Sequence, residues 1–192
     1  GLGCAGLWLD FPERLAAATA FGVFAWSRAG YGQSSPASLP WPLDYMQREA
    51  RETLPKLLDA IGFRRGALVG HSDGASIAAV YAGAFDDPRL RGVSLIAPHF
   101  FVEDFSLVEI AKAKAAYETT DLKQKLARWH ADPDNAFRGW NESWLHPEFK
   151  FWDIRPFLQQ ISCSVQVIQG ETDLYGTMAH AEAARSLCRV AV

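Results

Sequence analysis

Cysteine is scarce in this 192-residue sequence, and the three present (Cys4, Cys163 and Cys188) are odd in number and far apart. Such scatter argues against a disulfide framework or a zinc site. It fits small buried or half-buried residues in a reducing compartment, so a cytoplasmic location is expected. A dominant charge is lacking as well. Lys and Arg total 19 against 22 Asp and Glu, a formal net charge of −3, with the two signs interspersed. That pattern offers no basic footprint for nucleic acid or for an anionic membrane surface. Long apolar runs are also missing: the best candidate, Leu15 to Trp26, is broken by Thr19 and Gly22 and falls short of a membrane span. What is present is enough apolar material, 49% of residues, for one packed domain or one domain with an inserted lobe.

The most informative stretch begins at Gly66. Ala67 to Val69 is a short apolar run that reads as a buried strand. It meets Gly70-His71-Ser72-Asp73-Gly74, and a small-residue run of helical character, Ala75 to Ala79, follows at once. This is G-x-S-x-G in the strand–turn–helix setting of a nucleophile elbow. A serine on so sharp a turn holds its hydroxyl clear of the sheet, and flanking glycines remove Cβ atoms that would collide there. The helix behind Ser72 presents free N–H groups and its positive dipole end to any negative charge formed at the serine. The bland alternative is an ordinary strand–helix turn.

The rest of the chain supplies the setting. Gly1-Leu2-Gly3-Cys4-Ala5-Gly6 is a glycine-rich loop, and a helix with Pro12 in its first turn follows. Gly22 to Trp26 reads as a buried strand running into the turn-rich loop Ser27 to Pro36. From Asp44 the pattern turns helical, with Met46, Ala50, Leu54, Leu57, Leu58 and Ile61 on one stripe and Pro55 expected to kink or split it. Gly92 to Pro98 and Val165 to Gly170 read as further buried strands, Thr177 to Cys188 as a helix, and Val190 to Val192 as a strand beginning. Strands alternating with helices predict an α/β fold with a mostly parallel sheet.

Residues 103–152 differ in carrying helical patterns and no strand. Leu122, Leu126 and Trp129 share a face behind a start signal at Asp121; Trp140 and Trp144 are spaced i, i+4 with Phe137 one turn earlier. Four of the seven tryptophans (Trp129, Trp140, Trp144 and Trp152) fall here. Most are expected to form the lobe's own core, with one or two lining a pocket over the carboxyl ends of the strands.

These features together resemble the α/β-hydrolase superfamily across nearly the whole chain. The matching points, in order, are Gly1-Leu2-Gly3, the loop Ser27 to Ser34, the elbow Gly70 to Gly74, and Gly170-Glu171-Thr172-Asp173. The resemblance implies a core of parallel sheet and flanking helices in residues 1–102 and 153–192, with a helical cap in 103–152. It makes Ser72 the nucleophile. Asp173 would be the triad acid, preferred over Glu171 because of its place in the loop, although a turn or N-cap aspartate is the plainer reading. The oxyanion hole would take backbone N–H groups from Asp73 and Leu2. The implied function is a serine hydrolase of a carboxylic ester or a carbonyl C–C bond, acting on a small, largely apolar substrate without metal or organic cofactor. Alternatives on the same scaffold are a non-catalytic ligand binder and a cofactor-free lyase or oxygenase.

The family's chain order puts the catalytic histidine after the last strand. None of the five histidines (His71, His99, His130, His146 and His180) falls there. His99, after a strand end, is the best substitute; His71 should point away from Ser72, and a surface place is expected for His180. Because the sequence opens on a glycine loop and stops as a strand begins, the expectation is an internal segment of a longer hydrolase. That hydrolase would carry its base beyond Val192, and residues 1–192 alone would turn over esters negligibly.

Overall fold

The computed structural model describes residues 1–192 in full. Along the chain they form α1 (Phe11–Thr19), α2 (Tyr45–Arg48), α3 (Leu54–Ala60), β1 (Gly66–His71), α4 (Asp73–Ala84), β2 (Leu90–Ile96) and α5 (Asp104–Thr119). Then come α6 (Leu122–Ala127), α7 (Pro133–Trp144), α8 (Arg155–Leu158), β3 (Ser164–Ile168) and α9 (Ala179–Leu187). The three strands form one parallel sheet in the order β1-β2-β3 with helices flanking it, the α/β architecture expected. Internal contacts gather into two compact units, Gly1–Trp41 with Ile110–Leu145, and Pro42–Glu109 with His146–Val192. The division differs from the expected 1–102, 103–152 and 153–192, because the first 41 residues group with helical residues rather than with the strands.

The sheet unit is built on α4. Ala75 to Ala82 are all buried, and Ala75, Ala78, Ala79 and Ala82 let the helix lie close to β1 and β2. Gly83 extends that closeness: a Cβ there would lie 2.2 Å from the Phe157 carbonyl oxygen of α8, so only glycine fits. The strands are not buried on both faces as expected. Leu68, Val93, Leu95 and Val165 are buried, while Val69 and Ile168 on the opposite face are 37% and 48% exposed. Residues of one strand alternate between faces, so a face without a cover leaves every second side chain in solvent.

The helical stretch from Tyr45 is split, as its proline predicts. A π-helical segment, Glu49–Thr53, separates α2 from α3, and Pro55 stands in the first turn of α3, where its missing N–H goes unneeded. Met46, Ala50, Leu54 and Leu58 are buried along it, whereas Ile61 is 40% exposed. A half-buried ionic group ties α3 and α4 to β2. Asp87 accepts from Tyr81 Oη and from the Arg89 guanidinium, which also reaches Asp59. The Arg89 hydrogen bonds hold Asp87 well below the usual carboxylate range despite its burial.

In the other unit, α7 is set by its sequence. Asp132 caps it by accepting from the Asn135 N–H at 2.9 Å, and Pro133 opens its first turn. Phe137, Trp140 and Trp144 are buried, so these aromatics form core, while Trp129 is half-buried. The Tyr117 and Phe137 rings stack at 3.8 Å between centroids.

Two expectations fail. Gly22 to Trp26 is not a strand, and Phe21 and Phe24 are 71% and 52% exposed. Its composition suits a strand, but a strand needs a ladder partner, and all three strands of the sheet belong to the other unit. Val190 to Val192 forms no strand either.

Candidate active site

Ser72 sits at the junction of β1 and α4 with φ 55° and ψ −124°, a combination that a residue with a Cβ avoids. Its neighbours dictate the shape. A Cβ on Gly70 would lie 2.2 Å from the Gly74 carbonyl oxygen and 2.5 Å from the Ala75 nitrogen, so the turn closes only over glycine. Gly74 is different: a Cβ there would meet nothing within 4 Å. The crowding expected on both sides of Ser72 thus exists on one. The Ser72 carbonyl accepts from Ala75 at 2.8 Å and from Ser76 at 3.1 Å, beginning α4 directly behind the serine. Asp73 is the first helical residue, directly behind the serine. Asp73 is fully buried and its Oδ2 accepts from Tyr45 Oη at 2.6 Å.

The parallel register carries neighbouring groups to the same edge. His71 pairs with Ile96 and Ile96 with Ile168, so the residues after all three strands emerge side by side. Each crossing continues by one bond, Ser72 N–H to Ile96 and Ala97 N–H to Ile168. Ala97, like Ser72, has a positive φ, 46°. Asp173 lies half-buried in the loop after β3. Its Oδ1 accepts from the Tyr175 N–H at 2.8 Å and its Oδ2 from the Gln169 amide at 3.3 Å. Burial lowers the His99 pKa, and the charges of Asp73 and Asp173 oppose that shift. Glu171, the competitor, is exposed.

His99 is 4% exposed, its Nε2–H donates to the Tyr175 carbonyl at 2.9 Å, and burial pushes its pKa down. A ring so enclosed and committed is poorly suited to take a proton from Ser72. His180 is not on the surface as expected but fully buried. Its Nδ1 accepts from the Phe100 N–H and its Nε2 lies 3.0 Å from Glu103 Oε2. Burial lowers its pKa to about 4, with His99 adding to the effect and Glu103 opposing it. His71 and His146 are exposed. In the helical unit, the buried His130 accepts from the Gly32 N–H at 2.9 Å and donates to the Leu2 carbonyl at 3.1 Å, so Leu2 is held by an imidazole.

Sequence reading missed the groups around Asp173. Glu103 accepts from both the Thr177 N–H and its hydroxyl, and Ser106 donates to the Tyr175 carbonyl. It also missed Tyr45 on Asp73. These pairs are 28 to 74 positions apart and follow no local pattern. No group of three or more His, Cys, Asp or Glu side chains is arranged to hold a metal, the three cysteines are free, and no helix is long and apolar enough to cross a membrane.

A sequence profile of the alpha/beta hydrolase family matches residues 1–191. Among curated proteins, the chain is 25% identical over 174 residues to the human serine hydrolase BPHL and 24% identical to the mouse protein. The match takes in 84% of this chain but 57% of each relative, so the chain spans little more than half their length. Among solved structures it is similar to the enol-lactonase from Burkholderia xenovorans LB400, with TM-score 0.69 and 21% identity over 100% of this chain and 78% of that one. A meta-cleavage product hydrolase from Pseudomonas fluorescens IP01 gives TM-score 0.69 at 16% identity, again covering 100% and 78%. A monoacylglycerol lipase from Paleococcus ferrophilus gives 0.64 at 18%, covering 99% and 78%. At these identities the structural likenesses speak for the fold.

Proposed function

From the premise that the chain belongs to the alpha/beta hydrolase family, we propose that it carries the nucleophile half of a serine hydrolase. The substrate is a small, largely apolar carboxylic ester or a compound with a comparable carbonyl C–C bond. The supporting observation is the backbone of Ser72: a non-glycine residue held at φ 55° on a turn that closes only over Gly70, directly before a helix. Strain of this kind costs about 1–3 kcal/mol and persists where the surroundings enforce it.

In this reading Ser72 Oγ attacks the carbonyl carbon, the π electrons move to the oxygen, and the oxyanion is held by the Asp73 N–H. Collapse expels the alcohol or carbon leaving group with a proton, and water then releases the acyl group. Asp173 orients the histidine base and stabilises its imidazolium. The family's chain order assigns that base outside residues 1–192, and His99, His130 and His180 each have a ring nitrogen engaged in a buried hydrogen bond or ion pair. Residues 1–192 alone are accordingly inactive. No metal or organic cofactor enters, the partner is a small molecule, and the setting is the cytoplasm. The resemblance to the serine hydrolase BPHL supports the hydrolase reading.

The experiment is steady-state hydrolysis of p-nitrophenyl butyrate by the full-length protein. Ser72→Ala should lower kcat by about four orders of magnitude or more. A variant within tenfold of wild type would remove Ser72 from the mechanism.

A further inference from the structure

We propose that His99 is a positioning residue, a rigid bridge that sets the acid loop relative to the nucleophile helix. The inference rests on the hydrolase reading with Asp173 as the acid and adds to it the group that fixes where that carboxylate lies.

The bridge can be followed atom by atom. The Ser72 carbonyl accepts from the Ser76 N–H at 3.1 Å, one turn into α4. Ser76 is fully buried, and its hydroxyl meets both backbone groups of His99, donating to the carbonyl at 2.5 Å and facing the N–H at 3.3 Å. The His99 backbone is therefore fastened to the helix that begins at the nucleophile. Its side chain runs the other way, Nε2–H to the Tyr175 carbonyl at 2.9 Å. The N–H of the same residue, Tyr175, donates to Asp173 Oδ1 at 2.8 Å. One histidine thus joins the helix behind Ser72 to the turn that holds Asp173.

Two further contacts keep the far end from swinging. Ser106 Oγ–H takes the second acceptor position on the Tyr175 carbonyl, at 2.5 Å. Two residues on, Thr177 is gripped by the Glu103 carboxylate through its N–H at 3.0 Å and its hydroxyl at 2.6 Å. The loop is held on both sides by residues 99–106, the segment leaving β2. A histidine suits the bridging place because its planar ring reaches across a gap with a donor at the tip and few torsions to freeze. The plainer role, a buried ring filling space, does not explain a donor aimed at the one carbonyl that follows the Asp173 turn. Misplacing a catalytic group by about 1 Å costs up to about a hundredfold in rate, so loosening this bridge should register in kcat.

The test uses the full-length protein with p-nitrophenyl butyrate turnover and fluorophosphonate labelling, near-UV circular dichroism confirming the fold. His99→Leu should lower kcat and labelling rate about thirtyfold with KM within about threefold. His99→Gln, whose amide nitrogen lies near the place of Nε2, should recover to within about fivefold of wild type. Should His99→Leu lose its near-UV spectrum, Ser106→Ala carries the test, with kcat expected to drop about threefold to tenfold at unchanged KM. His99→Leu, or in that event Ser106→Ala, at wild-type kcat would overturn the bridge while leaving the hydrolase reading intact. So would His99→Gln no better than His99→Leu. Wild-type protein that is neither labelled nor active would overturn the hydrolase reading and the bridge with it.

Discussion

At the scale of single residues, the two glycines of the G-x-S-x-G stretch look equivalent in sequence and are not equivalent in space. Gly70 is where backbone passes backbone: its absent Cβ leaves room for the Gly74 carbonyl at 2.2 Å. No side-chain rotation relieves that overlap, so the turn itself must open. Gly70→Ala should therefore destabilise the protein by more than about 2 kcal/mol in urea unfolding and displace Ser72 with it. At Gly74 a methyl group enters open space within the first turn of a helix, so Gly74→Ala should stay within about 1 kcal/mol of wild type. Equal losses in the two variants would show that helix-start chemistry, not the close approach at Gly70, governs the turn. Ser72 was legible because everything that shapes it lies within a few positions along the chain. Asp173 was legible only in place. Its hydrogen-bond partners Tyr175 and Gln169 form a local turn, the plainer role also open to it.

At the scale of elements, the segment after β2 and the start of α9 are joined through buried groups that change with pH. His180 is fully buried and faces Glu103 and His99. Burial first, and then the neighbouring His99, lower its pKa to about 4 against an ordinary 6.5. Burial pushes Glu103 up, but the Thr177 hydrogen bonds and His180 outweigh it and leave the carboxyl below its ordinary value. Both shifts act in one direction. Between about pH 6.5 and 4 the unfolded chain binds a proton at His180 that the folded chain refuses, so stability falls on acidification, and Glu103 adds to the loss lower down. The melting temperature should accordingly drop from pH 7 to pH 4.5, and His180→Gln should make that drop shallower. It should not abolish it, because burial also lowers His99 and His130. Superimposable curves for wild type and variant would contradict the assignment. None of this was visible in sequence, where His180 sits on an ordinary amphipathic helix and its partner Glu103 is 77 positions away. The reverse error befell Gly22 to Trp26: a good strand composition becomes a strand only beside a pairing edge.

At the scale of the whole molecule, the alternation of strands and helices was enough to give the parallel sheet and its order of use, because each β-α step is a local pattern. How the chain divides was not. The glycine loop around Leu2 belongs with helices more than a hundred residues downstream, through His130 on its carbonyl, 128 positions away. The family membership covers residues 1–191, while the curated relatives are nearly twice as long as the matched part, which spans 57% of them. The central claim is that Ser72 is the nucleophile of a serine hydrolase, and one measurement meets it most directly. Full-length protein is treated with a fluorophosphonate, weighed intact and mapped by peptide mass spectrometry. The account predicts one adduct per chain, on the peptide carrying Ser72, and none in Ser72→Ala. An adduct on another residue, or no adduct in a folded and otherwise intact protein, would contradict it.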